Sequence, residues 1–274
     1  MDTGRRQVPQ FVERELSPRR SDYCAAVFVI NEGERLRMQL SRMRAVTASV
    51  DVVIADGGSS DGSTDVDRLA AAGVNTLLVK TGPGKLGAQM RMAFAWSLDR
   101  GYRGIVVIDG NNKDSAEDIP RFVDKLREGY DHVQGSRFIP GGRYENTPLG
   151  RLIGLKVLHA PMIRLASGFP YTDTTNGFRG YSARLLADPQ VAVFRDVFGG
   201  YELHYYLAIR AARLGFRVVE VPVRRSYPAG VKPPTKISPL RGNLRVIRCL
   251  FAACFHHYDP SVRLALDERA KEGS

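Results

Sequence analysis

Cysteine is scarce in this chain, with three in 274 residues, at Cys24, Cys249 and Cys254. An odd, sparse set excludes a disulfide framework and indicates reduced thiols in a cytosolic setting. Cys249 and Cys254 lie close to His256 and His257, but the spacing fits no zinc pattern. Leu250, Phe251 and Phe255 around them point to core thiols instead. No apolar run approaches the roughly 18 residues of a membrane helix, which excludes an encoded span. Met1 to Arg20 lacks the apolar segment of a secretory signal and is expected to be a flexible arm. The Walker spacing is also missing, so Gly82–Gly87 (GPGKLG) is not a P-loop.

Acidic residues are outnumbered, 29 against 40 Lys and Arg, for a net charge of +11. The imbalance is concentrated. Between Arg210 and His257 stand ten basic residues (Arg210, Arg213, Arg217, Arg224, Arg225, Lys232, Lys236, Arg241, Arg245, Arg248) and one acid, Glu220. Such a block implies a polyanionic partner: phosphate groups, an anionic membrane surface or nucleic acid. A solvated helix face accounts for Arg210 and Arg213 equally well, but less well for the loop from Arg224 to Lys236. The apolar fraction of 43% and charged fraction of 25% are ordinary globular usage, and the length suits one large domain or one domain with a tail.

The most informative stretch is Gly104 to Asp114 (GIVVIDGNNKD). Four β-branched residues in a row predict a strand buried on both faces. The run then stops on Asp109, Gly110, Asn111 and Asn112, which favour a turn. This presents a carboxylate at the carboxyl end of a central strand, where open α/β sheets bind ligands. Other strands are predicted at Ala25 to Ile30, Val50 to Ala55 and Asn75 to Lys80. Helices are predicted at about Glu34 to Val46, Val66 to Ala72 and Ala88 to Leu98. Asp56 ends the second strand in a Gly- and Ser-rich turn (DGGSSDGS), where a ligand can approach the backbone. Gly84-Lys85-Leu86-Gly87 precedes a helix and suits an anion cradle. Strands alternating with helices imply a largely parallel, doubly wound sheet.

In their order and spacing, Val29-Ile30-Asn31-Glu32, the turn from Asp56 to Ser63, Gly84-Lys85-Leu86-Gly87-Ala88 and Asp109-Gly110-Asn111 resemble family 2 glycosyltransferases of GT-A fold. Gly135-Ser136-Arg137-Phe138, Asp173 to Arg179 (DTTNGFR), Gly215 to Pro222 (GFRVVEVP) and Thr235-Lys236-Ile237-Ser238 narrow this to the dolichyl-phosphate mannose synthase and polyprenyl-phosphate glycosyltransferase group. The resemblance covers Tyr23 to Ser238. It implies an arm at 1–22, a Rossmann-like GT-A catalytic domain at 23–238 with a mostly parallel sheet between helices, and a C-terminal helix and polar tail at 239–274. It further implies an inverting hexosyltransferase using a nucleotide-diphosphate sugar, UDP- or GDP-linked, with Asn31, Glu32, Asp56, Gly58, Lys85, Asp109, Gly110, Asn111 and Arg137 at the nucleotide sugar. Arg179 and Lys236 are the expected phosphate-binding cations. A phosphate acceptor is already anionic and needs no general base. A hydroxyl acceptor needs one, and Asp173 or Glu202 are the candidates.

Two departures bear on metal. The family's second metal-binding Asp is Asn111 here, and the Gln two residues on is Lys113. Mg2+ and Mn2+ prefer hard anionic oxygens, so Asp109 and Asn111 make a doubtful site. The family Arg after Val221-Pro222 has no direct match, since Pro228 falls nearest; Arg224, Arg225 or Lys232 take its place. Leu240, Leu244, Ile247, Phe251 and Cys254 or Phe255 predict a C-terminal helix, either packed on the core or lying on a membrane. The leading reading is a cytoplasmic enzyme, peripheral at a membrane, acting on a polyprenyl phosphate. The alternatives are the same catalyst with a soluble hydroxyl acceptor and, on the sequence pI of 9.8 alone, a nucleotide-sugar or nucleic-acid binding protein without catalysis.

Overall fold

The computed structural model describes residues 6–227 and 241–260. Ten strands are present among them: β1 (Phe11–Glu15), β2 (Tyr23–Val29), β3 (Asp51–Asp56), β4 (Thr76–Lys80), β5 (Gly104–Asp109), β6 (His132–Ser136), β7 (Arg143–Glu145), β8 (Arg179–Ser182), β9 (Val218–Pro222) and β10 (Arg224–Ser226). Eight of them form one sheet in the order β1-β4-β3-β2-β5-β8-β6-β9. The pairings β4-β3, β3-β2, β2-β5 and β6-β9 are parallel, while β8 runs antiparallel between β5 and β6. β7 and β10 form a separate parallel pair. The expected α/β fold with a mostly parallel sheet is therefore present.

The central strands are apolar on both faces because both faces are covered. Ala25, Val27 and Val29 of β2 and Val106 and Ile108 of β5 join one buried cluster. Cys24, Ala26, Phe28, Ile105 and Val107 join the cluster on the opposite face, with the helix Leu86–Asp99. The chain leaves β2 toward β3 and β4, then crosses back to place β5 on the other side of β2. That reversal opens a crevice at the carboxyl ends of β2, β3 and β5.

Two expectations shift and one alternative is settled. Phe11–Glu15, placed within a flexible arm, is the antiparallel edge strand on β4. Only Phe11 and Val12 are apolar there, so no alternation marks it; it forms because β4 otherwise leaves an open edge. The helix expected over Glu34 to Val46 breaks at Met43 into Glu34–Arg42 and Arg44–Thr47. The C-terminal helix Arg241–Cys254 buries Cys249, Leu250 and Ala253 against the helices Ala160–Ser167 and Glu202–Arg213.

Candidate active site

Asp56 ends β3 and Asp109 ends β5, so the two flank β2, with Asp56 paired to Val29 and Asp109 to Phe28. Gly110 continues the pairing through its N–H to the Phe28 carbonyl (2.8 Å). A Cβ at Gly110 would lie 3.1 Å from that carbonyl, close enough that a larger residue would push the turn open by a few tenths of an ångström. Gln89, which sequence reasoning missed, ties the crevice together. Its buried amide donates to the Val29 and Ala55 carbonyls, both at 3.0 Å, and so clamps the ends of β2 and β3. A glutamine on a helix predicted from its apolar residues gives no sequence signal of that role.

The donor-side loops are built from the expected residues, but they hold one another. Asp56 is buried and its carboxylate accepts from the Ser59 N–H (2.9 Å), the Ser59 hydroxyl (2.6 Å) and the Gly58 N–H (3.2 Å). Gly58 has φ +96°, a conformation that glycine alone adopts without strain. Asn31 accepts from the Ser60 N–H (2.8 Å), linking the loops after β2 and β3. Glu32 ion-pairs with Arg35 (2.9 Å). Lys85 is exposed at the start of the helix Leu86–Asp99, with its N–H on the Gly199 carbonyl (2.8 Å).

Around Asp109 the charge is cationic. Arg225 brings one guanidinium nitrogen to 3.6 Å from Asp109 Oδ2 and pairs with buried Asp114 through another. Burial alone would pull the Arg225 guanidinium down, but Asp114 and Asp109 outweigh it and hold it above its ordinary value. Three cations surround the buried Tyr227 ring: Lys113 Nζ at 5.3 Å from the centroid, and the Arg151 and Arg225 guanidinium carbons each at 5.7 Å. Arg151 also donates to the Tyr227 hydroxyl (3.2 Å). Burial raises the Tyr227 phenol, and Arg225 and Arg151 more than reverse this, leaving it below its ordinary value. Burial, with Arg225 beside it, pulls the Lys113 ammonium down. Lys113 is thus inside the site and does not extend into solvent. Arg225, among the three residues proposed for the family Arg, is the one at Asp109; Arg224 is exposed and Lys232 lies outside the described residues. Tyr227 and Arg151 were missed, because an isolated tyrosine or a helix-surface arginine carries no motif.

The charged residues expected around the acceptor, and Arg137 expected at the nucleotide sugar, largely hold one another. Asp173 is not a free carboxylate: Arg137 grips it through Nε to Oδ2 (2.6 Å) and Nη2 to Oδ1 (2.9 Å), with both residues buried. Arg137 is therefore spent on Asp173. Arg179 is 1% exposed and donates to the carbonyls of Asn176 (3.0 Å), Thr174 (3.0 Å) and His204. It shapes the loop from inside the fold. Glu220 completes the frame, accepting from the Thr172 and Asp173 N–H groups at 2.9 and 3.0 Å. These three charged residues hold the 172–178 loop so that Gly177 faces Asp109, where a Cβ would lie 3.6 Å from Oδ1. Glu202 accepts from the Gly200 N–H and from the Cys249 thiol (3.5 Å), so it too is engaged. Lys236 lies outside the described residues.

The donor set near Asp109 does not by itself fit a divalent cation. It offers one carboxylate and the Asn111 amide, whose Nδ2 donates to Asp109 Oδ2 at 3.3 Å, with Arg225 on the same oxygen. Among the described residues no group of three His, Cys, Asp or Glu side chains converges to hold one.

The chain matches no family model. It is 35% identical over 196 residues to an undecaprenyl-phosphate mannosyltransferase of Micrococcus luteus, covering 70% of this chain and 79% of that one. It is 33% identical, also over 196 residues, to the polyprenol monophosphomannose synthase of Mycolicibacterium smegmatis, covering 70% of this chain and 73% of the relative. A dolichyl-phosphate hexose transferase of Haloferax volcanii is 26% identical over 233 residues, 85% of this chain and 94% of its own. Glucosyl-3-phosphoglycerate synthase of Mycobacterium tuberculosis, solved with Mn2+, UDP and its product, superposes with a TM-score of 0.61 at 19% identity, over 88% of this chain and 81% of that one, which shows a common GT-A fold. With two relatives above 30% identity across most of their length, the chain belongs to the polyprenyl-phosphate glycosyltransferases, family 2 hexosyltransferases of GT-A fold.

Proposed function

We propose that this enzyme transfers a hexose from a UDP- or GDP-linked donor to a polyprenyl phosphate, inverting the anomeric carbon. An oxygen of the acceptor phosphate attacks C1 as the bond to the nucleoside diphosphate breaks. The observation that carries this reading is the state of the two carboxylates that a hydroxyl acceptor would require. Asp173 is held by Arg137, and Glu202 by Gly200 and Cys249, so both are engaged in framing the fold. A phosphate acceptor asks for no base and asks instead for cations. Lys113, Arg151 and Arg225 supply them around Tyr227. Cations gathered at the carboxyl end of the central strand suit a phosphate-bearing ligand.

Charge building on the departing diphosphate is met, in this reading, by those same cations, fixed in place before the reaction. Asp109 and the tied loops after β2 and β3 orient the donor. The test is nucleotide release from GDP- and UDP-hexoses with and without undecaprenyl phosphate. Release that requires the lipid phosphate, with sugar appearing on the lipid, is expected. Release that follows a soluble alcohol acceptor and ignores the lipid would sink the proposal.

A further inference from the structure

Gln39 is a polar side chain in an apolar place. It lies on the helix Glu34–Arg42, where Leu36 and Leu40 are buried with it, and it is itself 0% exposed. Its Nε2 meets no hydrogen-bond partner. A methionine of similar size would fill that space without burying an unmet donor. What the amide supplies is an acceptor: Oε1 takes the Asn112 N–H at 2.8 Å. Arg42, three residues on and therefore on the same side of the helix, reaches the same residue. Its Nη1 donates to Asn112 Oδ1 (2.8 Å), while its Nε and Nη2 make a two-pronged contact with Glu117 (2.8 and 2.7 Å). One helix thus holds the connection after β5 at two points, on either side of Lys113.

Asn112 has φ +57°. That left-handed conformation is costly for most residues other than glycine, and asparagine is among those that tolerate it. The two contacts from the helix stabilise it, one on the backbone and one on the side chain. The chain turns at this residue. Asn111 before it stays at Asp109, with Nδ2 3.3 Å from Oδ2. Lys113 after it is only 9% exposed, with Nζ 5.3 Å from the centre of the Tyr227 ring. Beyond the turn β10 takes over: the Ser226 N–H donates to the Lys113 carbonyl (2.8 Å), and the Ser115 N–H to the Arg224 carbonyl (2.9 Å). The strand fixes the backbone that follows Lys113, and the helix fixes the residue that precedes it.

We propose that Gln39 and Arg42 are positioning residues for the reaction. By fixing Asn112 they keep the Lys113 ammonium turned inward, within electrostatic reach of Asp109. This rests on the reading that the same ammonium meets the diphosphate of the donor. A helix outside the crevice then sets where one of the charges inside it lies.

The experiment compares the full-length wild type with the double variant Gln39→Met, Arg42→Met, each with Lys113 intact and with Lys113→Gln. Two quantities are read: backbone hydrogen exchange without ligand, and calorimetric affinity for inorganic pyrophosphate in EDTA. With Lys113 intact, the double variant is expected to exchange roughly tenfold faster over 110–118, while β2 and β5 exchange as in the wild type. Its pyrophosphate affinity is expected to fall roughly fivefold or more, and on the Lys113→Gln background by less than about twofold, because the helix acts through Lys113. A residue that merely supports the fold would subtract the same amount on both backgrounds. A wild type that binds no pyrophosphate would sink the diphosphate reading and with it the role in the reaction, while the exchange result still decides whether the helix fixes the turn. Exchange unchanged in the variant, exchange raised across the whole sheet, or an affinity loss as large without Lys113 would each overturn the proposal.

Discussion

Arg225 stands 3.6 Å from Asp109 Oδ2 while pairing with the buried carboxylate of Asp114. One side chain thus joins β10 to the floor of the active site, and the Asp114–Arg225 backbone bridge repeats the connection. Removing Arg225 strands a buried carboxylate. Arg225→Gln is expected to cost about 3–5 kcal/mol of stability, and Arg225→Gln with Asp114→Asn appreciably less, because the second change removes the orphaned charge. Urea unfolding of the two variants checks this; equal losses would show that Asp114 does not depend on Arg225.

Asp173 and Arg137 make a similar prediction with a different meaning. If the pair frames the 172–178 loop, Asp173→Ala destabilises by about 3–5 kcal/mol, since Arg137 is left buried and unpaired. A general base would behave otherwise: turnover would vanish while the melting temperature held. Tm and turnover measured on the same preparation separate the two roles.

Asp56 combines both kinds of effect. Its carboxylate takes two N–H groups and a hydroxyl of its own turn, so Asp56→Ala leaves buried donors unmet and is expected to cost about 1–3 kcal/mol. Nucleotide affinity measured by calorimetry should fall as well, because the loop that frames the donor loosens. Unchanged stability would mean the turn holds without its carboxylate.

The sequence makes the strand cores and their polar ends legible because local patterns write them. Four β-branched residues before Asp109 and the Gly/Ser turn after Asp56 need no partner to be recognised. The charged frame of the 172–178 loop is another matter. Arg137, Asp173 and Arg179 match family positions, yet which of them face a ligand depends on contacts between distant segments, such as the 36 residues separating Arg137 from Asp173. An Arg that binds phosphate and one that binds three carbonyls look alike in a one-dimensional chain. Arg225 was among three alternatives for the same reason. The edge strand Phe11–Glu15 escaped because its register is imposed by β4 and not by its own residues.

The buried histidines set an acid limit. Burial, with the positive Arg179 nearby, holds His132 and His204 well below their ordinary value, and burial lowers His159. Each binds fewer protons folded than unfolded, so stability rises with pH up to the ordinary histidine pKa of about 6.5 and is lost as pH falls below it. The loss approaches 1.4 kcal/mol per pH unit for each such group. Urea midpoints at pH 7.5, 6.5 and 5.5 should fall in that order, and His132→Gln should flatten the descent. A variant descending as steeply as the wild type would remove His132 from the account.

Lys113 poses the sharpest question about the chemistry. It stands where the family resemblance implies a neutral oxygen ligand, yet it is buried beside Tyr227, with Asp109 and Arg225 within electrostatic reach. A lysine there subtracts a ligand and adds a charge. On the proposed function, with Arg225 already on Asp109, part of the positive charge that stabilises a leaving diphosphate would come from the protein itself, since a fixed cation acts without reorganising. Donor binding is therefore expected to tolerate EDTA, and divalent metal to act at most as a modest activator. Lys113→Gln restores the oxygen ligand and removes the cation, so turnover without added metal should fall by an order of magnitude or more, roughly the 1.4 kcal/mol of a tenfold step. Added Mn2+ or Mg2+ should then stimulate the variant more than the wild type. The melting temperature should hold or rise, because a lysine whose charge burial disfavours is being removed. A wild-type enzyme silenced completely by EDTA and restored fully by Mn2+ would show that the metal, and not Lys113, carries the charge.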